Sequence, residues 1–221
     1  MTNYGSSILG GLGGFIQKRK VFFSFHYDDI MRVNNVRNVW KISHPDSAQM
    51  RSFYDSSLWE SKKLEGDESV KNLIRDGVSY TSVVCVLIGT ETWSRRWVKY
   101  EIARSFIDGK GLVGIHLNGI NHHQRMKPDN RGYNPIAMMG ISAKNDGQYY
   151  LCEHVHNGQS YEWKWYADYT LSVNLPKYCN PVQVGSVVKL SDRTREYDFA
   201  AQNGATNLGG WIDLAAVEAG R

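Results

Sequence analysis

The sequence predicts an α/β fold, an open parallel sheet with helices on both faces, and two patterns carry that expectation. The runs Val21-Phe22-Phe23-Ser24-Phe25 and Val83-Val84-Cys85-Val86-Leu87-Ile88 are apolar without alternation, as strands covered on both faces should be. Segments with apolar residues at helical spacing separate these runs from each other and from a third, Leu112-Val113-Gly114-Ile115-His116-Leu117. Strand, helix, loop, helix, strand, helix, strand is the order that right-handed crossovers give in a parallel sheet.

Residues 1–18 are rich in Gly and Ser and read as a flexible leader. Its glycines are followed by Phe15-Ile16-Gln17-Lys18, not by the Gly-Lys-Ser/Thr that opens a phosphate loop. Residues 19–120 form the predicted α/β domain. After the first strand, Ile30, Val33, Val36 or Arg37, and Trp40 recur near helical spacing, with Asp28 or Asp29 available as N-cap. A loop-like region runs from Pro45 through Trp59-Glu60, then Val70, Leu73 and Ile74 mark a helix that Asp67 could cap. The second strand ends at Gly89, and a helix over Ser94 to Phe106 follows. Residues 121–221 read as an aromatic-rich C-terminal extension packed on that core. It holds a hairpin, with Tyr149-Tyr150-Leu151 and Tyr161-Glu162-Trp163 flanking the turn Asn157-Gly158. The stretches around Tyr197 and Trp211 look like further elements folded back onto the body.

Hydrophobic residues make up 42% and charged ones 22%, which argues against wholesale disorder. The net charge of +4 is spread over 26 basic and 22 acidic residues, so it helps attract an anionic ligand without pointing to nucleic acid. Cys85, Cys152 and Cys179 are far apart and form no CxxC pair, so neither a disulfide framework nor a zinc site is expected, and a reducing cytoplasm suits them. His116, His122 and His123 lack acidic or cysteine partners at ligand spacing, and no metal is expected. No apolar run reaches membrane-spanning length.

The candidate site lies where ligands bind open parallel sheets, at the carboxyl ends of the strands. Phe25, His26 and Tyr27 end the first strand, and Gly89 and Thr90 end the next. Trp97 and Glu101 are four residues apart and share one helix face, so indole and carboxylate meet. A ring beside an anionic acceptor suits a ribosyl nucleotide, whose base stacks while its sugar hydroxyls donate to the carboxylate. Core packing accounts for Trp97 equally well, and for Trp59 it is the simpler account. His26 is a binding candidate only, and Arg95 and Arg96 either meet phosphates or sit on solvated surface.

Taken together, Lys20 to Asp28, Ser57-Leu58-Trp59-Glu60, Val86-Leu87-Ile88-Gly89 and Arg95-Arg96-Trp97-Val98-Lys99-Tyr100-Glu101-Ile102 resemble TIR domains. The pattern is nearest to the TIR-like ThsB proteins of the bacterial Thoeris antiphage system. The resemblance runs from about Lys18 to Leu117, and more loosely to the C-terminus. It implies a flavodoxin-like fold and cleavage of the nicotinamide–ribose bond of NAD, with NAD as substrate and no further cofactor. It also implies a cyclic ADP-ribose isomer or related nucleotide as signal, an effector of the ThsA type activated by that signal, and self-association of TIR domains. Glu101 matches the family's catalytic glutamate; Trp97 matches the aromatic of the same motif. Phe25, His26, Tyr27 and Trp59 are the other substrate-binding candidates. Many animal TIR domains carry Arg after the first strand, and this chain does not.

Two further readings stay open beside the enzyme: a TIR interaction module with no chemistry, and a phosphoacceptor receiver built on Asp28 or Asp29.

Overall fold

The computed structural model describes residues 19–43, 61–156 and 158–221. Trp59 and the expected leader lie outside the described residues, as does Asn157 of the expected turn.

The predicted strands form. β1 (Val21–Phe25), β2 (Val83–Ile88) and β3 (Gly111–His116) are buried along their whole lengths and run parallel, with Val21 beside Val83 and Val83 beside Gly111. The sheet gains a fourth parallel strand, β8 (Arg195–Asp198), against β3, giving the order β1-β2-β3-β8. Because side chains alternate along each strand, the sheet builds two separate cores. Val21, Phe23, Phe25, Cys85, Leu87 and Ile115 pack against α1 (Ile30–Ser43) and the last helix, Gly204–Glu218. Phe22, Val84, Val86, Ile88 and Leu112 face α2 (Asp67–Ser79) and α3 (Arg96–Ile107). In chain order the last helix is α4. Val33, Val36 and Trp40 of α1 are all essentially buried, and removing the Trp40 side chain is expected to cost about 3–5 kcal/mol. Gly111 has a reason to be glycine. A Cβ there would stand 2.5 Å from the carbonyl oxygen of Ala215, so the backbone of α4 lies directly on β3.

Between β3 and β8 the chain builds a second, antiparallel sheet from β4 (Met139–Ala143), β5 (Tyr149–His156), β6 (Tyr161–Trp165) and β7 (Val187–Lys189), in the order β6-β5-β4-β7. The expected hairpin is the β5–β6 pair, in which His156 stands opposite Tyr161. Met139, Ile141 and Leu151 complete the core on the α2/α3 side.

Three helix starts differ from the sequence reading, each for a local reason. Asp67 is the first residue of α2, not its cap; Gly66 precedes it with φ of 103°, and the Asp67 carboxylate accepts from Arg96 at 2.6 Å. The helix expected from Ser94 begins at Arg96, because the Ser94 hydroxyl donates to the Glu91 carbonyl at 2.9 Å and closes a 3-10 turn over Thr92–Ser94. Asp28 and Asp29 fall in a 3-10 turn, Tyr27–Asp29, that leads into α1; Asp29 is drawn to Arg32 instead of capping.

Candidate functional site

At the carboxyl ends of β1 and β2 an open, polar cleft of about 490 Å³ is carved into the sheet edge. One wall comes from the end of β1, with His26, Asp28 and Asp29; the end of β2 adds Thr90 and Glu91. A loop that leaves β3 closes the other side with His122, Arg125, Asp129 and Asn130. That loop is tied to β2. Asn118 donates to the Thr90 hydroxyl at 3.1 Å, the Thr90 hydroxyl donates to the Asn130 carbonyl at 2.9 Å, and the Asp129 N–H donates to the Asn118 carbonyl at 3.0 Å.

The floor of the cleft is a chain of charges. Asp29 is buried and accepts from Arg32 at 2.8 Å; Arg32, itself 3% exposed, also donates to Asp129, which Arg125 holds from the solvent side at 2.6 Å on each carboxylate oxygen. Asp29 can sit there only because residue 89 is glycine, since a Cβ at Gly89 would lie 1.8 Å from Asp29 Oδ2. Burial raises the pKa of Asp29 against the pull of Arg32. Burial works in the same direction on Asp129, but the hydrogen bonds from Arg125 and Arg32 outweigh it and hold that carboxyl at about 2. His26 is shifted down, first by burial and then by Arg95, with Asp28, at 3.6 Å from its Nδ1, pulling the other way. Burial and Arg95 thus both favour its neutral form.

The structure distributes the predicted site residues over several places. His26 lines the cleft, and Tyr27 is 60% exposed on the turn beside it. Phe25 points to the opposite side of β1, into the core with α1 and α4. Trp97 and Glu101 sit on α3, across the sheet from Phe25. Trp97 is half-buried against the core, with the Arg96 guanidinium 4.6 Å from its ring centre and Tyr100 edge-on at 6.3 Å. Glu101 is 1% exposed; the other buried residues of α3 are Val98, Tyr100, Ile102, Ala103, Ser105 and Phe106. It lies five residues into α3, so about 7–8 Å along the axis from the helix start beside the strand ends. Arg96 is committed to ion pairs, bridging Asp168 through two nitrogens at 2.7 and 2.9 Å and Asp67 at 2.6 Å.

The sequence reading pointed to the first wall of the cleft and to Thr90. It weighed Asp29 only as an N-cap or a phosphoacceptor, and it missed the loop from His122 to Asn130. Nothing in the spelling of that loop betrays it; the long-range tie between Arg32 and Asp129, 97 residues apart, exists only in the folded chain. Among the described residues no group of three or more His, Cys, Asp or Glu side chains could hold a metal ion, and no helix is long and apolar enough to cross a membrane.

A parallel sheet with helices on both faces and a polar cleft at its strand ends defines a doubly wound α/β protein. Residues 22–122 match the family described as Thoeris protein ThsB, TIR-like domain. Over 198 residues the chain is 36% identical to a protein of Bacillus cereus (strain MSX-D12) named "Putative cyclic ADP-D-ribose synthase ThsB1", covering 88% of this chain and 99% of that one. The chain belongs to the ThsB family of TIR-like proteins.

Proposed function

We propose that this chain is an NAD-processing enzyme that breaks the nicotinamide–ribose bond and joins the ADP-ribose to itself, making a cyclic ADP-ribose isomer or related nucleotide as an antiphage signal. The partner in this reading is an effector of the ThsA type that responds to the diffusible product. The observation that carries it is Glu101: a carboxylate only 1% exposed on α3, in a chain whose relative is named for cyclic ADP-D-ribose synthesis. Burying a carboxylate costs several kcal/mol, and sites of chemistry are where such a cost is met.

The chemistry follows from charge. Nicotinamide in NAD is already a pyridinium cation, so its departure needs no general acid. Positive charge passes to the ribose as the bond breaks, a charge that the anionic form of Glu101 stabilises in a poorly hydrated setting where electrostatics are strong. Water at the same carbon yields ADP-ribose, whereas an adenine nitrogen or ribose hydroxyl yields a ring. Excluding water selects the ring. In this reading Trp97 borders the reacting end, His26 and Tyr27 border the nucleotide at the end of β1, and Phe25 acts by anchoring that strand end from below. Trp59 is proposed on the resemblance alone. Since Glu101 is enclosed, substrate reaches it only after local rearrangement, and slow turnover by resting protein is part of the proposal.

Mass spectrometry of nucleotides and nicotinamide from phage-challenged cells tests it. Cells with the parent chain should accumulate nicotinamide and a cyclic product, and those with Glu101→Gln at equal protein level should accumulate neither. Equal nicotinamide release by the two would end the catalytic assignment. No nucleotide change with the parent would favour a TIR interaction module.

A further inference from the structure

Arg125 is the guanidinium among the residues that line the cleft, and both its backbone and its side chain are held by hydrogen bonds. Its backbone is set by His122, whose Nδ1 accepts from the N–H groups of Gln124 and Arg125 at 3.2 and 3.4 Å. The turn is closed by the Met126 N–H on the His122 carbonyl at 2.8 Å, with Met126 at a φ of 53°. Its side chain is fixed by Asp129, which takes Nη2 at 2.6 Å and Nε at 3.2 Å. Asp129 is fixed in turn by Arg32 and Arg32 by Asp29, which rests on Gly89 at the end of β2. A surface arginine serving only solubility needs none of this. An arginine that must meet a ligand in one geometry does, because its freedom is then already restricted before binding.

We propose that Arg125 is the phosphate-binding residue of the cleft, with Nη1 donating to the diphosphate oxygens of a dinucleotide and Asp129 acting as its positioning residue. Among the described residues Nη1 makes no hydrogen bond, and the side chain is 53% exposed, so the outer edge of the fork faces the cleft and solvent. Guanidinium and phosphate match in planar, two-point geometry. The charge around it is arranged for such a ligand. Asp29 and Asp129 are compensated by Arg32 and Arg125, whereas Asp28 and Glu91 on the opposite wall carry no such arginine contact among the described residues. The loop edge is thus neutral on balance and offers a hydrogen-bond donor in the outer nitrogen of Arg125, whereas the strand edge is acidic. A dinucleotide fits this gradient, with its phosphates at the donor edge and ribose hydroxyls donating to the acidic wall of Asp28 and Glu91. This orientation rests on the NAD reading above; the phosphate contact itself does not require turnover.

Calorimetric titration of the full chain with ADP-ribose and with adenosine tests it, since the first carries the diphosphate, the second lacks it, and neither has a nicotinamide bond to break. Arg125→Gln, an exposed and uncharged change, should weaken ADP-ribose at least tenfold and adenosine less than twofold. Arg125→Lys should recover part of the loss, and Asp129→Asn should weaken ADP-ribose three- to fivefold with Arg125 still present. Raising salt should weaken ADP-ribose binding to the parent and have little effect on Arg125→Gln. Unchanged ADP-ribose affinity in Arg125→Gln, equal loss for both ligands, or no ADP-ribose binding by the parent each overturns the assignment. Nicotinamide release by the parent and by Glu101→Gln decides the NAD reading independently of these titrations.

Discussion

Gly89→Ala places a methyl group where the structure has a carboxylate. The new Cβ would stand 1.8 Å from Asp29 Oδ2 and 2.4 Å from its Cγ, while real Cβ contacts essentially never fall below 3.0 Å. Asp29 must therefore move by more than an ångström, and its 2.8 Å contact with Arg32 does not survive that shift. Overpacking of this kind costs roughly 1–3 kcal/mol, and breaking a fully buried ion pair by removing one partner costs about 3–5 kcal/mol. Arg32 keeps its bond to Asp129, so the second figure is an upper bound. A loss of about 2–4 kcal/mol is expected, which for a chain of this size lowers Tm by roughly 5–15 °C. Thermal unfolding followed by circular dichroism reads it directly. The decisive comparison is a double-mutant cycle with Asp29→Ala, which removes the atoms in the way. Gly89→Ala should cost far less in that background, leaving a coupling of at least about 1 kcal/mol. Additive effects, or a Tm within about 2 °C of the parent for Gly89→Ala alone, would refute the claim that residue 89 is glycine to seat Asp29.

Acid should destabilise the chain through Asp129. Its pKa of about 2 lies below the ordinary 3.8, so its contribution is present above about pH 4 and fades as pH falls toward 2; Asp129→Asn should flatten Tm against pH in that window. His26, whose folded pKa lies below 6.5, contributes stability at neutral pH that is lost as pH falls below 6.5, and His26→Gln should remove that slope. Arg96→Ala loses the forked contact to Asp168 and the cover over Trp97, at a cost of about 1–2 kcal/mol in urea unfolding, with a change in tryptophan emission. Burial pushes the Cys85 thiol far up, and Cys152 and Cys179 up to about 11, so a disulfide-exchange reagent should label the native chain slowly and three thiols quickly once it is unfolded.

The sheet was legible wherever strands are buried on both faces, because a continuous apolar run as short as Val83 to Ile88 suits a strand and falls well short of a buried helix. β8 was harder to read as a strand. Arg195-Glu196-Tyr197-Asp198 is a short edge strand, and edge strands carry charge and polarity that look like loop. α4 was obscured for another reason: Gly204, Asn207, Gly209 and Gly210 are poor helix formers, and tertiary packing of Leu208, Ile212, Ala215 and Ala216 on the sheet overrides them. Helix starts shifted by one or two residues where a side chain found a better partner than the cap, as Asp29 found Arg32. Of the site, the strand ends could be read because a general rule places ligands there. The loop from His122 to Asn130 could not, since its role depends on ties between residues far apart in the chain.

Those ties give the inserted antiparallel sheet a function beyond filling space. A twelve-residue helix is marginal by itself, so the position of α3 comes from what packs on it. Its first turn is gripped from the insertion twice: Arg96 by Asp168 on the loop after β6, and Lys99 by Glu153 of β5 at 3.1 Å. Asp168 also takes Lys71 of α2 at 3.1 Å, so one carboxylate aligns two helices on the same sheet face. The same excursion from β3 begins with the loop that carries Arg125 and Asp129, and Gly132 then passes so close to the Gly89 and Thr90 carbonyls that a side chain would not fit. Catalytic geometry fails on displacements near an ångström. The helix with the buried carboxylate and the loop with the oriented guanidinium are thus registered to one inserted element. On the proposed reading, a change that loosens that element should weaken ADP-ribose binding and nicotinamide release together.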